Sequence, residues 1–451
     1  MYSHDDEQLV SNLRQASLPL ETAADLDPLM GAVGGARYIL LGEASHGTHE
    51  FYTWRAEITK RLIIEKKCSF IAVEGDWPDC YQLNRYVKGL PDSGASAEQV
   101  LRAFDRWPTW MWANREIVAL AEWLRQYNES LPPQSQVGFY GLDVYSLWDS
   151  MAAVVEYLES IDPAFARAAR RAYLCFEPYG EDAQAYARAT VMVPTSCQDE
   201  AVAVLRELRA KASEYRKDDR EAYYNAEQNA LIAQGAEQYY RAMVRGGAMS
   251  WNVRDRHMVD TLERLMGHHG DHAKAVVWEH NTHVGDARFT DMAADGMVNV
   301  GQLVRERHPQ AGDVMLVGFG TYSGAVLAGS EWGAAMQKMR MPNARAGSLE
   351  DILHCAGMPG DVNAKGTSKN MLFLFDETID GGIGGLDKAI DHRAIGVVYH
   401  PEAERWGNYV PSQLAQRYDA FLFVDHTSPL EALHLPEHGG RDLPETYPTG
   451  M

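Results

Sequence analysis

Short apolar runs that end in polar, glycine-marked loops recur along the chain, and amphipathic helical patterns separate them. The first run, Tyr38 to Leu41, reads as a buried strand. Gly42 and Gly47 bracket the loop that follows, which empties into a helical pattern where Phe51, Trp54, Ile58 and Leu62 share one face at about 100° per residue. On that wheel Arg55 falls inside the apolar stripe and His49 on the solvent side. A guanidinium on a buried face must have a partner, because an unpaired buried charge is too costly to keep.

Further strand signals follow at Ser69–Glu74, Gln136–Asp143, Lys274–Glu279, Asp313–Thr321, Asn370–Phe375, Ala394–Tyr399 and Ala420–Val424, and helices are predicted near Glu7–Gln15 and Arg115–Tyr127. Between about 145 and 266 the strand signals vanish. Long amphipathic patterns such as Glu221–Val244 replace them, and Pro163, Pro178 and Pro194 punctuate the first half. Tyr223, Tyr224, Tyr239 and Tyr240 there read as bundle core. The alternation implies an α/β fold: a largely parallel central sheet, flanking helices and a large α-helical bundle insertion. The expected division is a lead-in at 1–34, one α/β domain at 35–435 and a Pro-rich tail at 436–451, with a loop over 360–369.

Composition narrows the partners. A net charge of −21 argues against nucleic acid and anionic membrane as ligands of the general surface, since both need a positive field. No apolar run reaches the roughly 18 residues of a membrane span, and the amino terminus has no apolar signal core. The five scattered cysteines, without a C-x-x-C pair, suit free thiols in a reducing, cytoplasmic setting. Nothing here sets the oligomeric state.

Three apolar runs end on carboxylates: Glu43, Glu74 and Asp143. His46 follows the first, and His280 and His283 follow the run ending at Glu279. In a parallel sheet all of these face one crevice outside the carboxyl ends of the strands. Carboxylates facing imidazoles compose either a general-base hydrolase or a metal site, and spacing alone does not separate the two. A third reading is a non-catalytic seat for a haem-like small ligand. Glu74 and Asp143 also suit helix capping. The cluster Gly267-His-His-Gly-Asp-His272 lies at the opposite end of a strand and reads as an exposed turn. Gly318-Phe-Gly-Thr321 and Gly381-Gly-Ile-Gly-Gly385 lack a phosphate-cradling context, and no Gly-x-Ser-x-Gly elbow is present.

Several of these segments together resemble the erythromycin esterase family: Gly42-Glu-Ala-Ser-His-Gly-Thr-His-Glu50, Val73-Glu-Gly-Asp-Trp-Pro-Asp79, Tyr140-Gly-Leu-Asp143, Asn252-Val-Arg-Asp-Arg-His-Met258, Trp278-Glu-His-Asn-Thr-His-Val-Gly285, Gly318–Thr321 and Arg393–Glu402. The resemblance implies hydrolysis of an ester or lactone, macrolide rings included, by activated water without metal or cofactor. It places the general base on His46, its neighbouring glutamate on Glu43, and further site positions on Arg55, Glu74, His280 and His283. Asp143, Trp110 and Thr321 are the expected substrate contacts, and a small ester or lactone the expected partner. One departure is Glu279, where the family form has alanine. An added carboxylate there would raise the His280 pKa if the two groups approach.

Overall fold

The computed structural model describes residues 4–179, 183–192, 196–358, 369–375 and 383–434. Its main sheet contains β1 (Leu18–Pro19), β2 (Tyr38–Leu41), β3 (Phe70–Val73), β4 (Gly138–Gly141), β5 (Ala275–Trp278), β6 (Val314–Ala328), β7 (Gln337–Met341), β8 (Met371–Leu374) and β11 (Ala420–Thr427). Strands β9 (Ile390–Arg393) and β10 (Tyr409–Ser412) form a separate antiparallel ribbon. The order is β1-β8-β11-β6-β2-β5-β3-β4, with β7 paired to the far half of β6. From β11 to β4 every pairing is parallel, whereas β1, β7 and β8 run antiparallel to their neighbours.

The apolar runs are continuous because this sheet is buried on both faces. In β2, Tyr38 and Leu40 join one hydrophobic core while Ile39 and Leu41 join the other, the period of two that a strand imposes. Register then aligns the strand ends. Leu41 pairs with both Trp278 and Val317, and Val73 with both Trp278 and Gly141. The residues just beyond these positions, Gly42-Glu43, Glu74, Leu142-Asp143 and Glu279-His280, therefore emerge side by side at one edge.

Two glycines make the loop after β2 possible. A Cβ on Gly42 would strike the Asn281 side chain, and one on Gly47 would fall on the Leu327 carbonyl. Backbone hydrogen bonds from Leu327 and Leu430 converge on the Gly47 carbonyl, which pins the loop against β6 and the segment after β11.

The region after β4 is helical, as the sequence indicates, with long helices at Leu147–Ile161, Arg220–Met243 and Ala248–His269. The four tyrosines named above are all buried there. Four expectations need correction. Cys175 and Cys197 are joined as a disulfide, because helices of the insertion bring together thiols that look scattered along the chain. The run Ala394–Tyr399 is not a strand. It makes only single parallel bridges to residues past β2 and β6, Ser45 to Ile395 and Gly329 to Val398, while the ribbon strand precedes it. His268 and His269 are half-buried, engaged with Glu221 (3.0 Å) and the Tyr140 hydroxyl (3.3 Å), so that cluster is not a free turn. Finally, the lead-in is woven into the sheet through the pairing of β1 with β8. Pro194, Gly381, Gly382, most of the 360–369 loop and the tail at 436–451 lie outside the described residues. Among the described residues no helix is long and apolar enough to cross a membrane.

Candidate active site

Arg55 lies on the apolar stripe of the helix His49–Lys66 and is fully buried. Its guanidinium is held between the Tyr52 and Trp278 rings, 4.4 and 4.5 Å from their centroids. Its Nη2 donates to Glu43 Oε2 at 2.5 Å. The other Glu43 oxygen lies 2.9 Å from His46 Nδ1. A carboxylate accepts only, so Nδ1 carries a proton, and in the neutral imidazole the lone pair is on Nε2. Among the described residues Nε2 has no hydrogen-bond partner, and His46 lines a cleft at the strand ends.

Glu74 lines the same cleft beside it. Its Oε2 accepts the His280 backbone N–H at 2.9 Å and its Oε1 accepts Arg254 Nη2 at 2.8 Å. Burial would raise its pKa, yet His283, His46 and Arg254 together hold it well below the usual carboxylate range. Arg254 also forks onto Asp143, at 2.9 Å through Nε and 2.6 Å through Nη2. Asp143 is thus held by Arg254 rather than capping a helix, and it too lines the cleft.

The His280 ring sits 4.8 Å from that of His46, centroid to centroid. The Thr282 backbone N–H donates to His280 Nδ1 at 3.3 Å, so the ring hydrogen is on Nε2. Burial, with His46 close by, keeps this imidazole neutral by driving its pKa well below normal. Glu279 does not raise it. Burial pushes the Glu279 carboxyl well above its ordinary range, so it is a neutral acid, and both of its oxygens are without partners among the described residues.

His283 behaves oppositely. Burial opposes its charge, but Asp255 and Glu74 outweigh burial and hold its pKa up to about 10. Its Nδ1 donates to Asp255 at 2.9 Å and its ring stacks on Trp251 at 4.5 Å. Arg254 Nη1 lies 3.1 Å from Nε2, a contact suited to a neutral ring, while Glu74 Oε1 lies 3.5 Å away and suits an imidazolium. Glu74 and Asp255 outnumber the single guanidinium around it, and the ring is charged.

Of the residues predicted from sequence, His46, Glu74 and Asp143 line the cleft, and Glu43, Arg55, His280 and His283 stand behind them. Trp110 and Thr321 do not line it. Trp110 packs edge-on against Trp107 in the core, and the Thr321 hydroxyl is tied to Thr427 at 3.1 Å within the sheet. The cleft walls are instead Trp107, Trp112, Trp332, Phe104, Met111 and Tyr145, with Asp76, Asp79 and Arg106 at the polar side. Burial and the adjacent Asp76 push the Asp79 carboxyl up to about 8. The residue that sequence reasoning missed is Arg254. The wheel that singled out Arg55 also places Arg254 on the buried face of its helix, with Trp251, Met258 and Leu262.

A largely parallel sheet with carboxylates and imidazoles gathered at its strand ends defines the class: an α/β protein with its candidate site outside the carboxyl ends of the strands. More particularly, the chain belongs to the erythromycin esterase family, whose model matches residues 63–427. That match takes in Glu74, Asp143, Arg254, His280 and His283, and begins after Glu43, His46 and Arg55. Over nearly the whole chain there is 21% identity to erythromycin esterase type II of Escherichia coli, covering 92% of this chain and 96% of that one. The putative hydrolase YbfO of Bacillus subtilis (strain 168) is also 21% identical, over 90% of this chain and 87% of its own. Among solved structures, a succinoglycan biosynthesis protein superposes with a TM-score of 0.76 at 21% identity, covering 96% of this chain and all of its own. A histidine-to-asparagine mutant of the erythromycin esterase EreC, in its open conformation, gives 0.64 at 17% identity, covering 95% and 98%. The fold is thus shared well beyond the reach of close sequence similarity.

Proposed function

We propose that this chain hydrolyses a carboxylic ester or lactone, with His46 as the general base. One observation carries the reading: a histidine whose Nδ1 is pinned by a buried, arginine-backed carboxylate and whose Nε2 lone pair opens onto a cleft. In this mechanism Nε2 takes a proton from a water molecule as the water oxygen attacks the ester carbonyl. Glu43 steadies the imidazolium that forms. The tetrahedral oxyanion needs donors, and the Arg254 guanidinium lines the cleft where one is called for. When the carbonyl–oxygen bond breaks, His46 returns the proton to the departing alkoxide, and the products are an acid and an alcohol, or a hydroxy acid from a lactone.

Water-only chemistry is favoured by how the carboxylates are used. Glu43 is held by Arg55, and Glu74 and Asp143 by Arg254, so guanidiniums occupy the places a metal would take. Among the described residues no group of three or more His, Cys, Asp or Glu side chains is arranged to hold a metal ion. The names of the relatives bring macrolide lactones into the substrate panel alongside simple esters. The test is mass-spectrometric detection of a gain of water across that panel, with and without chelator. Turnover that survives chelation and disappears in His46→Asn supports the proposal. Activity abolished by chelator and restored by a divalent cation would replace it with a metal-dependent hydrolase.

A further inference from the structure

Away from the cleft, the helical insertion carries a groove of opposite character. Arg209, Arg216, Arg220 and Arg264 line it together with Tyr224 and His268, on a chain whose net charge is −21. Its own carboxylate, Glu227, is shared: Arg209 Nε donates to Oε1 at 2.7 Å and Arg216 Nη2 to Oε2 at 3.3 Å. Arg220 reaches only the His268 carbonyl, at 3.4 Å. The half-buried Arg264 donates to Gln228 Oε1 at 3.0 Å and Thr261 Oγ1 at 2.8 Å, both neutral. Among the described residues neither Arg220 nor Arg264 forms an ion pair. His268 is answered by Glu221 at 3.0 Å, which also faces Lys88 at 3.6 Å.

Two further features point to a ligand. Tyr224 is only 8% exposed, and among the described residues its hydroxyl has no hydrogen-bond partner. Burial lowers the pKa of Arg264 even though Tyr224, Asp260 and Glu227 act to raise it, so its charge is only partly compensated. Four guanidiniums against one carboxylate repel one another, and an anion placed among them converts that repulsion into charge-assisted hydrogen bonds. Planar forks of this kind match phosphate oxygens two at a time.

We propose that this groove binds a small, soluble ligand bearing two or more linked phosphates, contacted by Arg209, Arg216, Arg220 and Arg264. More than one phosphate is called for because the uncompensated charge exceeds what a single one neutralises. A small ligand is called for because a long polyanion or an anionic bilayer would extend beyond the patch into the negative field of the remaining surface. The groove and the cleft share one element. Arg264 and Arg254 lie on the same helix, ten residues and roughly 15 Å apart.

Calorimetric titration of the full chain with inorganic pyrophosphate tests the site. The expected result is saturable binding that weakens with added salt, and that falls about tenfold or more in Arg209→Gln/Arg216→Gln, both exposed residues outside the cleft, with ester hydrolysis unchanged. Glu227→Gln, which frees both guanidiniums, is expected to tighten it. No binding at near-physiological salt would overturn the proposal. So would binding that the double variant leaves intact. Tighter binding to phosphatidylcholine vesicles containing phosphatidic acid, or to single-stranded DNA, than to pyrophosphate would overturn the small-ligand assignment.

Discussion

Replacing Arg254 with methionine should unsettle the whole cluster behind the cleft. The side chain is almost fully buried and makes two bonds to Asp143 and one to Glu74. Methionine fills similar space but supplies no donor, so two carboxylates remain in the interior with His283 as the nearest cation. Removing one member of a buried, hydrogen-bonded ion pair typically costs about 3–5 kcal/mol. The variant should therefore lose about that much unfolding free energy at pH 7, read from urea denaturation. The loss should also depend on pH. In the wild type the Glu74 pKa is held below its unfolded value, so its contribution is complete above about pH 4.5 and fades as pH falls toward the lowered value. Arg254→Met removes one of the charges that lower it, so the gap between the two proteins should narrow on acidification. A cycle with Asp143→Asn should recover part of the loss, because the second change removes a carboxylate left unpaired by the first. A loss below about 1 kcal/mol, or one that does not shrink as pH falls below about 4.5, would refute the view that this guanidinium holds the cluster together.

Other outcomes are open to simple measurement. His46→Asn should fold as the wild type by circular dichroism while ester turnover falls on the order of 10²- to 10⁴-fold; retained turnover would remove His46 from the mechanism. Glu279→Gln replaces a carboxyl that burial keeps protonated with a neutral near-isostere. Because the folded pKa of Glu279 is raised, the wild type loses stability as pH climbs above about 4.5, and the variant should become the more stable of the two as pH rises. His283, held up to about 10, contributes stability that is complete below about pH 6.5 and declines as pH rises through 10, so denaturant midpoints of Glu279→Gln itself should still fall toward alkaline pH. Gly47→Ala places a methyl on the Leu327 carbonyl and should cost about 1–3 kcal/mol or more, along with activity, since His46 is the adjacent residue.

How much of this was legible in the sequence follows from what is local. Strand runs of four apolar residues, the helical stripe holding Arg55, and the chain of carboxylates and imidazoles just past strand ends all have signals within a few residues of themselves. The period of a strand or helix is fixed by backbone geometry, so an arginine on the wrong side of a wheel is visible before any contact is known. Local pattern also misleads. Ala394–Tyr399 has the apolar character of a strand yet forms only isolated bridges, because hydrophobicity records burial and does not record which backbone groups pair. Trp110 and Thr321 sit in plausible segments but face the core and the sheet, and a difference of one position along the chain decides such things.

Tertiary structure alone decided the pairings. Arg254 lies 111 residues from Asp143 and 180 from Glu74, and nothing near any of them names the others. The same holds for the Cys175–Cys197 link and for the arginines of the insertion groove, which come from four separate helices. Charge states belong to this second category as well. Glu279 and Glu74 are the same residue type at equivalent strand ends, yet one is held neutral by burial without partners and the other ionised by the cations around it. The sequence by itself determined which groups would be available, since composition and periodicity are written in it directly. Only the folded chain determined which of them meet, because electrostatic and hydrogen-bond energies depend on distances of a few ångströms that chain order does not encode.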